Sequence, residues 1–216
     1  MLATIDYRFT AIGVSETWFQ SKTKIAMYNL DGYNLVNTNR KDKIARGVAI
    51  YINDQYDYTI GSDLSCNMPE YDVLFIELRK SNYKHLVIGC IYRVPNTNID
   101  HFLDKLNECL NVMNKHNTDI YILGDYNIIF LNANTHEKTN SFLETMFSHN
   151  LYPLIIKPTR ISSTNVTLID NIFCNSFENE IDSGLFLVNV SDHFPIFCRK
   201  KKAHRWKSVT NPSKTN

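Results

Sequence analysis

The run Asp119-Ile-Tyr-Ile-Leu-Gly-Asp125-Tyr-Asn127 is apolar and β-rich, and it ends abruptly in a glycine, a carboxylate and a carboxamide. It reads as a core strand that carries metal-ligand side chains at its tip. Three other apolar runs finish in the same manner, at Ser15-Glu16, at Tyr92-Arg93 and just before Ser191-Asp192-His193. Side chains of this kind suit phosphoester hydrolysis. That reaction needs a divalent cation to neutralise charge on the phosphoryl oxygens, a positioned water, and help for the departing oxygen. A hard cation such as Mg²⁺ is held by one or two carboxylates, which leaves room for water and substrate oxygens. Glu16, Asp125, Asp170 and Asp192 are the candidate carboxylates, each at the end of, or inside, an apolar run. Acids so placed are costly to bury alone, so compensating charge or hydrogen bonds should surround them.

Asp170 interrupts the strand-like Leu168-Ile-Asp-Asn-Ile172, and His193 directly follows Asp192. A histidine paired with a buried carboxylate keeps one tautomer and a raised pKa, and it can serve as a base or as a cation facing phosphate. His193 with Asp170 is the expected pair. Any one of these acids or histidines is more often an ordinary structural polar group; the set is what points to chemistry. His85, His101, His116, His136, His149 and His204 fall in no such pattern.

The elements that must hold these residues are short. Strand-like runs recur at Thr10 to Val14, Gly47 to Ile52, Val73 to Leu78, Leu86 to Tyr92, Ile120 to Leu123, Leu168 to Phe173, Leu185 to Val190 and Phe194 to Cys198. Continuous apolar runs of this length suit strands buried on both faces. Arg79 to Lys84 reads as a polar hairpin turn. Two helices interrupt them. Ile99, Phe102, Leu103, Leu106, Leu110 and Met113 share one face of the first, with Asn98 or Asp100 to cap it; Phe142, Leu143, Met146 and Phe147 share a face of the second, with Thr139 to cap it. Helices interspersed among strands predict a layered α/β fold with mostly antiparallel and mixed sheets.

With 216 residues, 44% hydrophobic and 12% aromatic, the chain can bury a large core as a single domain. A formal net charge of +1 excludes a general DNA-coating protein and leaves room for a local basic face. Five cysteines without a C-x-x-C pair suit free thiols in a reducing compartment. No run approaches the ~20 apolar residues of a membrane helix, so no membrane association is expected and the protein should be intracellular. The domain is expected to span residues 1–199, followed by a basic, solvated tail over 200–216. Nothing in the pattern calls for an obligate protein partner.

Five segments in order, Ile12-Gly-Val-Ser-Glu-Thr-Trp18, Gly89-Cys-Ile-Tyr-Arg-Val-Pro95, Leu123-Gly-Asp-Tyr-Asn127, Leu168-Ile-Asp-Asn-Ile-Phe173 and Ser191-Asp-His-Phe-Pro195, together resemble the endonuclease/exonuclease/phosphatase family. Within it they are most similar to the apurinic-endonuclease-like domain of non-LTR retrotransposons. The resemblance implies a four-layer α/β sandwich, two mixed β-sheets flanked by helices, and a Mg²⁺-dependent activity, with Mn²⁺ as the alternative ion, that nicks DNA. It implies Glu16 as principal metal ligand, Asp125 orienting or activating the attacking water, and Asn127 holding that water and a phosphate oxygen. Tyr92 would contact the phosphate or aid the leaving group, Asp170 and Asp192 would orient or ligate, and His193 would hydrogen-bond the scissile phosphate; the general base is left open among them. Arg93 and Arg160 lie beside matching segments and are expected to bind the DNA backbone. Members of the family begin with a central strand that carries an asparagine, whereas Met1 to Phe9 resembles the end of the helix that follows it. A domain lacking that strand, with weakened or lost activity, is the corresponding expectation, and a nuclease acting on DNA in the nucleus is the setting implied. The rivals are a non-catalytic nucleic-acid-binding remnant and another phosphoesterase of the same superfamily.

Overall fold

The structure is a computed structural model that describes residues 7–19, 23–38, 46–62, 64–79, 85–113, 118–176, 181–188 and 190–201. In chain order the strands are β1 (Ala11–Ser15), β2 (Tyr33–Asn37), β3 (Val48–Asn53), β4 (Asp57–Ile60), β5 (Cys66–Asn67), β6 (Tyr71–Arg79) and β7 (His85–Arg93). Helix α1 (Ile99–Met113) leads to β8 (Thr118–Asp125) and helix α2 (Glu137–Ser148). The chain continues through β9 (Tyr152–Pro153), β10 (Arg160–Ile161), β11 (Val166–Thr167), β12 (Asp170–Cys174), β13 (Ile181–Leu185) and β14 (Ile196–Lys200).

The central sheet runs β4-β6-β7-β8-β12-β9, with β5 added on β6. It is mixed, because β7 and β8 are parallel while their outer neighbours are antiparallel. A parallel pair needs a crossover, and α1 supplies it. Helix α1 folds where its stripe predicts, burying Phe102, Leu103, Leu106, Leu110 and Met113. With Phe142 and Met146 of α2 these cover one face of the sheet, meeting Val73, Phe75, Ile91, Ile122 and Phe173. Tyr126, Phe130, Phe142 and Phe173 form the aromatic centre of that layer, with ring centroids 5.2–5.8 Å apart. Aromatic contacts of this tilted kind add to the burial of the rings themselves.

The other face carries a second layer of strands in two pieces. The antiparallel β1-β3-β2 sheet lies against β7 and β8, and the β13-β14 hairpin lies against β12. Val48, Ile50 and Ile52 of β3 face Leu74, Ile76, Leu78, Ile88, Cys90 and Tyr92 across this interface. The expected α/β sandwich is therefore present. Outside the second sheet, among the described residues, stands a single short 3₁₀ turn, Ile25–Tyr28, held by the Tyr51 hydroxyl donating to the Tyr28 carbonyl at 2.7 Å.

Several boundaries differ from the sequence reading. The strand expected over Leu185 to Val190 ends where it was to begin, because the hairpin uses the polar stretch Ile181–Leu185 against β14 and leaves Leu187 and Val190 80% and 75% exposed. Helix α2 starts at Glu137 and is capped by His136, whose Nδ1 accepts from the Thr139 amide, so Thr139 sits inside the helix. Phe147 turns outward and stacks on Tyr152 at 5.3 Å. Lys200 closes β14 and pairs with Asp119, so the strand extends one residue into the expected tail; residues 202–216 and the turn residues 80–84 lie outside the described residues. The five cysteines are all free thiols. No helix among the described residues is long and apolar enough to cross a membrane.

Gly124, the penultimate residue of β8, has φ +152°, and a Cβ there would overlap the Ile91 carbonyl of β7. The parallel strands approach this closely only because that atom is missing. Gly124→Ala should therefore destabilise the protein by about 3 kcal/mol, combining backbone strain with overpacking. Urea unfolding would measure it, and a loss under about 0.5 kcal/mol would show that β7 and β8 can separate without penalty.

Candidate active site

Strand register assembles the site. Tyr92 of β7 lies opposite Asp125 of β8, and Asp125 lies opposite Asp170 of β12. Residues in register on neighbouring strands point to the same face. Tyr92, Asp125 and Asp170 thus form a row across three adjacent strands at one end of the sheet, on the face turned toward the second layer. Asp72 of β6 extends the row, being opposite Tyr92.

Asp125 is 4% exposed. Its Oδ1 accepts from the Asn127 main-chain amide at 2.9 Å and its Oδ2 from the Asn127 carboxamide at 3.2 Å. Asn127 sits in the left-handed region, with φ +47°, which asparagine tolerates better than most residues. Burial, and then the negative charge of Asp170, push the Asp125 carboxyl up to about 7. His193 stands against Asp170, with Nδ1 3.0 Å from Oδ2, and the pairing raises the imidazole pKa. The pair expected from sequence is formed. Thr159, wholly buried, orders the same corner: its hydroxyl accepts from the Ile169 and Asp170 amides at 3.2 and 3.1 Å, and its carbonyl from the Phe194 amide at 2.7 Å.

Glu16 directly follows β1 and is exposed, in the left-handed region with φ +53°. The turn is held by the two residues that precede β3, since the Thr17 amide donates to the Gly47 carbonyl at 3.2 Å and the Trp18 amide to that of Arg46 at 3.0 Å. Asp72 secures the other side of this contact by accepting from the Gly47 amide at 3.1 Å. The Glu16 carboxylate reaches the Tyr92 hydroxyl, and burial together with that carboxylate keeps the phenol protonated far above neutral pH. Tyr92 is accordingly a hydrogen-bond donor rather than a base.

Two expected residues stand differently. Arg93 was expected to meet DNA; it is 2% exposed, and its guanidinium donates to the carbonyls of Tyr126, Asn127 and Thr97. It is an interior residue, out of reach of a polyanion. Asp192 lies outside the cluster formed by Asp125, Asp170 and His193: its exposed carboxylate accepts from Arg160 at 2.7 Å, which holds it ionised. Arg160 is half exposed at the rim and bridges by backbone to His193. Sequence reasoning missed Thr159 and Asp72. Asp72 carried the one available sign, an acid at the mouth of an apolar run; an isolated threonine carries none.

Ligand atoms of Asp125, Asp170 and His193 lie within 4.8 Å of one another, and the Glu16 charge acts on Asp125 from the end of β1. A carboxyl that burial, and then the neighbouring Asp170 charge, leave protonated up to about 7, set among further oxygen donors, fits a hard divalent cation, which would compensate both. The pH dependence follows. Asp125 ionises near 4 in an unfolded chain, so its contribution to stability is greatest below that value and is lost as pH rises through about 7. A cation displaces the same proton. The rise in melting temperature produced by Mg²⁺ or Mn²⁺ should therefore be larger at pH 8 than at pH 6, and a rise equal at both would place the ion elsewhere.

No family model matches the sequence, and no curated protein is similar to it. Solved structures do match. The endonuclease domain of TRAS1, a telomere-specific non-LTR retrotransposon, superimposes with TM-score 0.66 at 15% identity over 80% of each chain. The AP endonuclease LMAP from Leishmania major gives 0.70 at 14% identity, over 89% of this chain and 79% of that one. The 3′ phosphatase NExo from Neisseria, bound to a product DNA hairpin, gives 0.66 at 14% identity, over 93% and 91%. This chain has the endonuclease/exonuclease/phosphatase fold. The fold is shared by nucleases and phosphatases, so the chemistry has to be argued from the site. In the endonuclease/exonuclease/phosphatase fold of this chain, the row Tyr92, Asp125, Asp170 and the turn carrying Glu16 meet at one edge of the β-sandwich.

Proposed function

We propose that the chain is a divalent-metal-dependent DNA endonuclease that nicks one strand by phosphodiester hydrolysis, as a module of a non-LTR retrotransposon protein acting on nuclear DNA. The observation that carries this reading is the in-register row Tyr92, Asp125, Asp170 with His193 hydrogen-bonded to its last member. Likeness to a retrotransposon endonuclease domain and to a phosphatase bound to product DNA supports the substrate class.

In this reading Glu16 and Asp125 would hold Mg²⁺ or Mn²⁺, with Asp170 beside Asp125 and Asp192 further out at the rim. When bound, the ion supplies neutralisation of charge on the phosphoryl oxygens. The residues do the rest. Asp125 orients the attacking water or takes its proton. Asn127 orients that water. Tyr92 donates its phenolic hydrogen to a phosphate oxygen or to the departing one. His193, oriented through Nδ1 by Asp170, donates from Nε2 to the scissile phosphate. Arg160 meets the DNA backbone at the rim, leaving its exposed pairing with Asp192, which is worth little in water.

Supercoiled plasmid incubated with the protein and Mg²⁺ should convert to open circles, and EDTA should prevent it. A phosphomonoester run in parallel decides between classes: turnover of that substrate alone would overturn the DNA reading. No turnover of either by folded protein would leave a non-catalytic remnant.

A further inference from the structure

Arg93 grips Asn127 from two directions. Its main-chain carbonyl accepts from the Asn127 carboxamide Nδ2 at 2.7 Å, while its Nη1 donates to the Asn127 carbonyl at 3.2 Å and to the Tyr126 carbonyl at 3.4 Å. Nη2 donates to the Thr97 carbonyl at 2.5 Å, which ties the same group to the loop ahead of α1. A guanidinium buried to 2% exposure is expensive, and here its bonds go to neutral carbonyls rather than to a carboxylate. An apolar side chain would fill that space at lower cost. The planar fork does what no apolar chain does: it fixes several carbonyls at once.

We infer that Arg93 is a positioning residue for phosphodiester hydrolysis, acting through Asn127. Asn127 must sit at φ +47°, a conformation that disfavours most side chains and needs outside support. The guanidinium holds the carbonyl side of this turn. The Arg93 carbonyl and Asp125 Oδ2 together claim Nδ2, so Oδ1 is the atom left to accept from a water. Loosening the fork lets the carboxamide turn and misplaces the water next to Asp125. Displacements on the order of 1 Å can lower a rate about 10²-fold.

The kinetic part rests on the endonuclease reading; the geometric part does not. The test compares Arg93→Lys, Arg93→Met, Asn127→Ala and the Arg93→Met/Asn127→Ala double variant, by nicking kinetics and by hydrogen exchange of the segment 125–131. Arg93→Lys keeps the charge and the stem, so it guards against simple unfolding. Both Arg93 variants should lower kcat, by about 10²-fold for Arg93→Met, with KM nearly unchanged, and should speed exchange in 125–131 while β12 stays protected. In the Asn127→Ala background the Arg93→Met effect on kcat should nearly vanish, because nothing is left to position. Additive losses, or unchanged exchange in 125–131, would overturn the inference. Absence of nicking by the wild-type protein would defeat the endonuclease reading, and the exchange data would still decide the clamp.

Discussion

Asp125→Asn should slow nicking by about 10²–10⁴-fold, the range that a positioned proton acceptor contributes, and yet raise the melting temperature at pH 8. The two effects share a cause. Asp125 is buried opposite Asp170, and ionising it works against the fold at any pH above about 7. The carboxamide removes that charge and keeps one oxygen for the Asn127 amide, which donates to Oδ1 at 2.9 Å. Its nitrogen then faces Asn127 Nδ2, and the hydrogen bond lost there costs about 1 kcal/mol. Relief of the charge outweighs that loss at pH 8. At pH 5, where the wild-type carboxyl holds its proton, the advantage should disappear. Thermal unfolding at the two pH values, beside plasmid nicking, measures both effects. A variant that nicks within tenfold of wild type would remove Asp125 from the chemistry, and one that melts below wild type at pH 8 would remove the charge repulsion.

His193→Ala is the second large effect. Nicking should again fall by about 10²–10⁴-fold. Stability should fall in a pH-dependent way. The imidazole pKa is raised in the folded protein, mainly by its hydrogen bond to Asp170. A raised histidine pKa contributes stability that is fully present below the unfolded value near 6.5 and is lost as pH climbs through the folded one. The variant should therefore lie further below wild type at pH 6 than at pH 9. A stability loss equal at both pH values would mean that His193 is packed there as a neutral ring and does not pair with Asp170.

Much of the site was legible because strand ends announce themselves. The apolar run before Gly124 could only be an interior strand, and a carboxylate at its tip could only be costly or useful. The α1 stripe was equally clear, since every third or fourth residue from Phe102 to Met113 had to face a core. Arg93 was misread because a cation after Tyr92 is the same letter whether it faces solvent or the interior. Alternation along β7 turns it to the side opposite Tyr92, where the turn at Tyr126 and Asn127 presents carbonyls. That turn is brought there by β8, which no local pattern around Arg93 records. Strand β13 was missed for the opposite reason. Ile181-Asp-Ser-Gly-Leu185 has no apolar run of its own, and it is a strand because β14 offers it partners. The Asp192 carboxylate, read as a ligand, finds Arg160 across a distance in sequence that only the folded loops close.

The row Tyr92, Asp125, Asp170 is also a constraint on how the molecule comes to exist. Tyr92 and Asp125 meet through a parallel pair, which forms only after the whole of α1 has been laid across the sheet, and Asp170 joins from the far side of α2. Contacts between such distant parts of the chain form slowly, because loop closure must precede any gain from pairing. No fragment, and no intermediate that lacks the β7 to β8 to β12 junction, can hold the row together. Activity should return late during refolding and all at once, in step with completion of the central sheet, making each turnover a report that the β7 to β8 to β12 junction has closed.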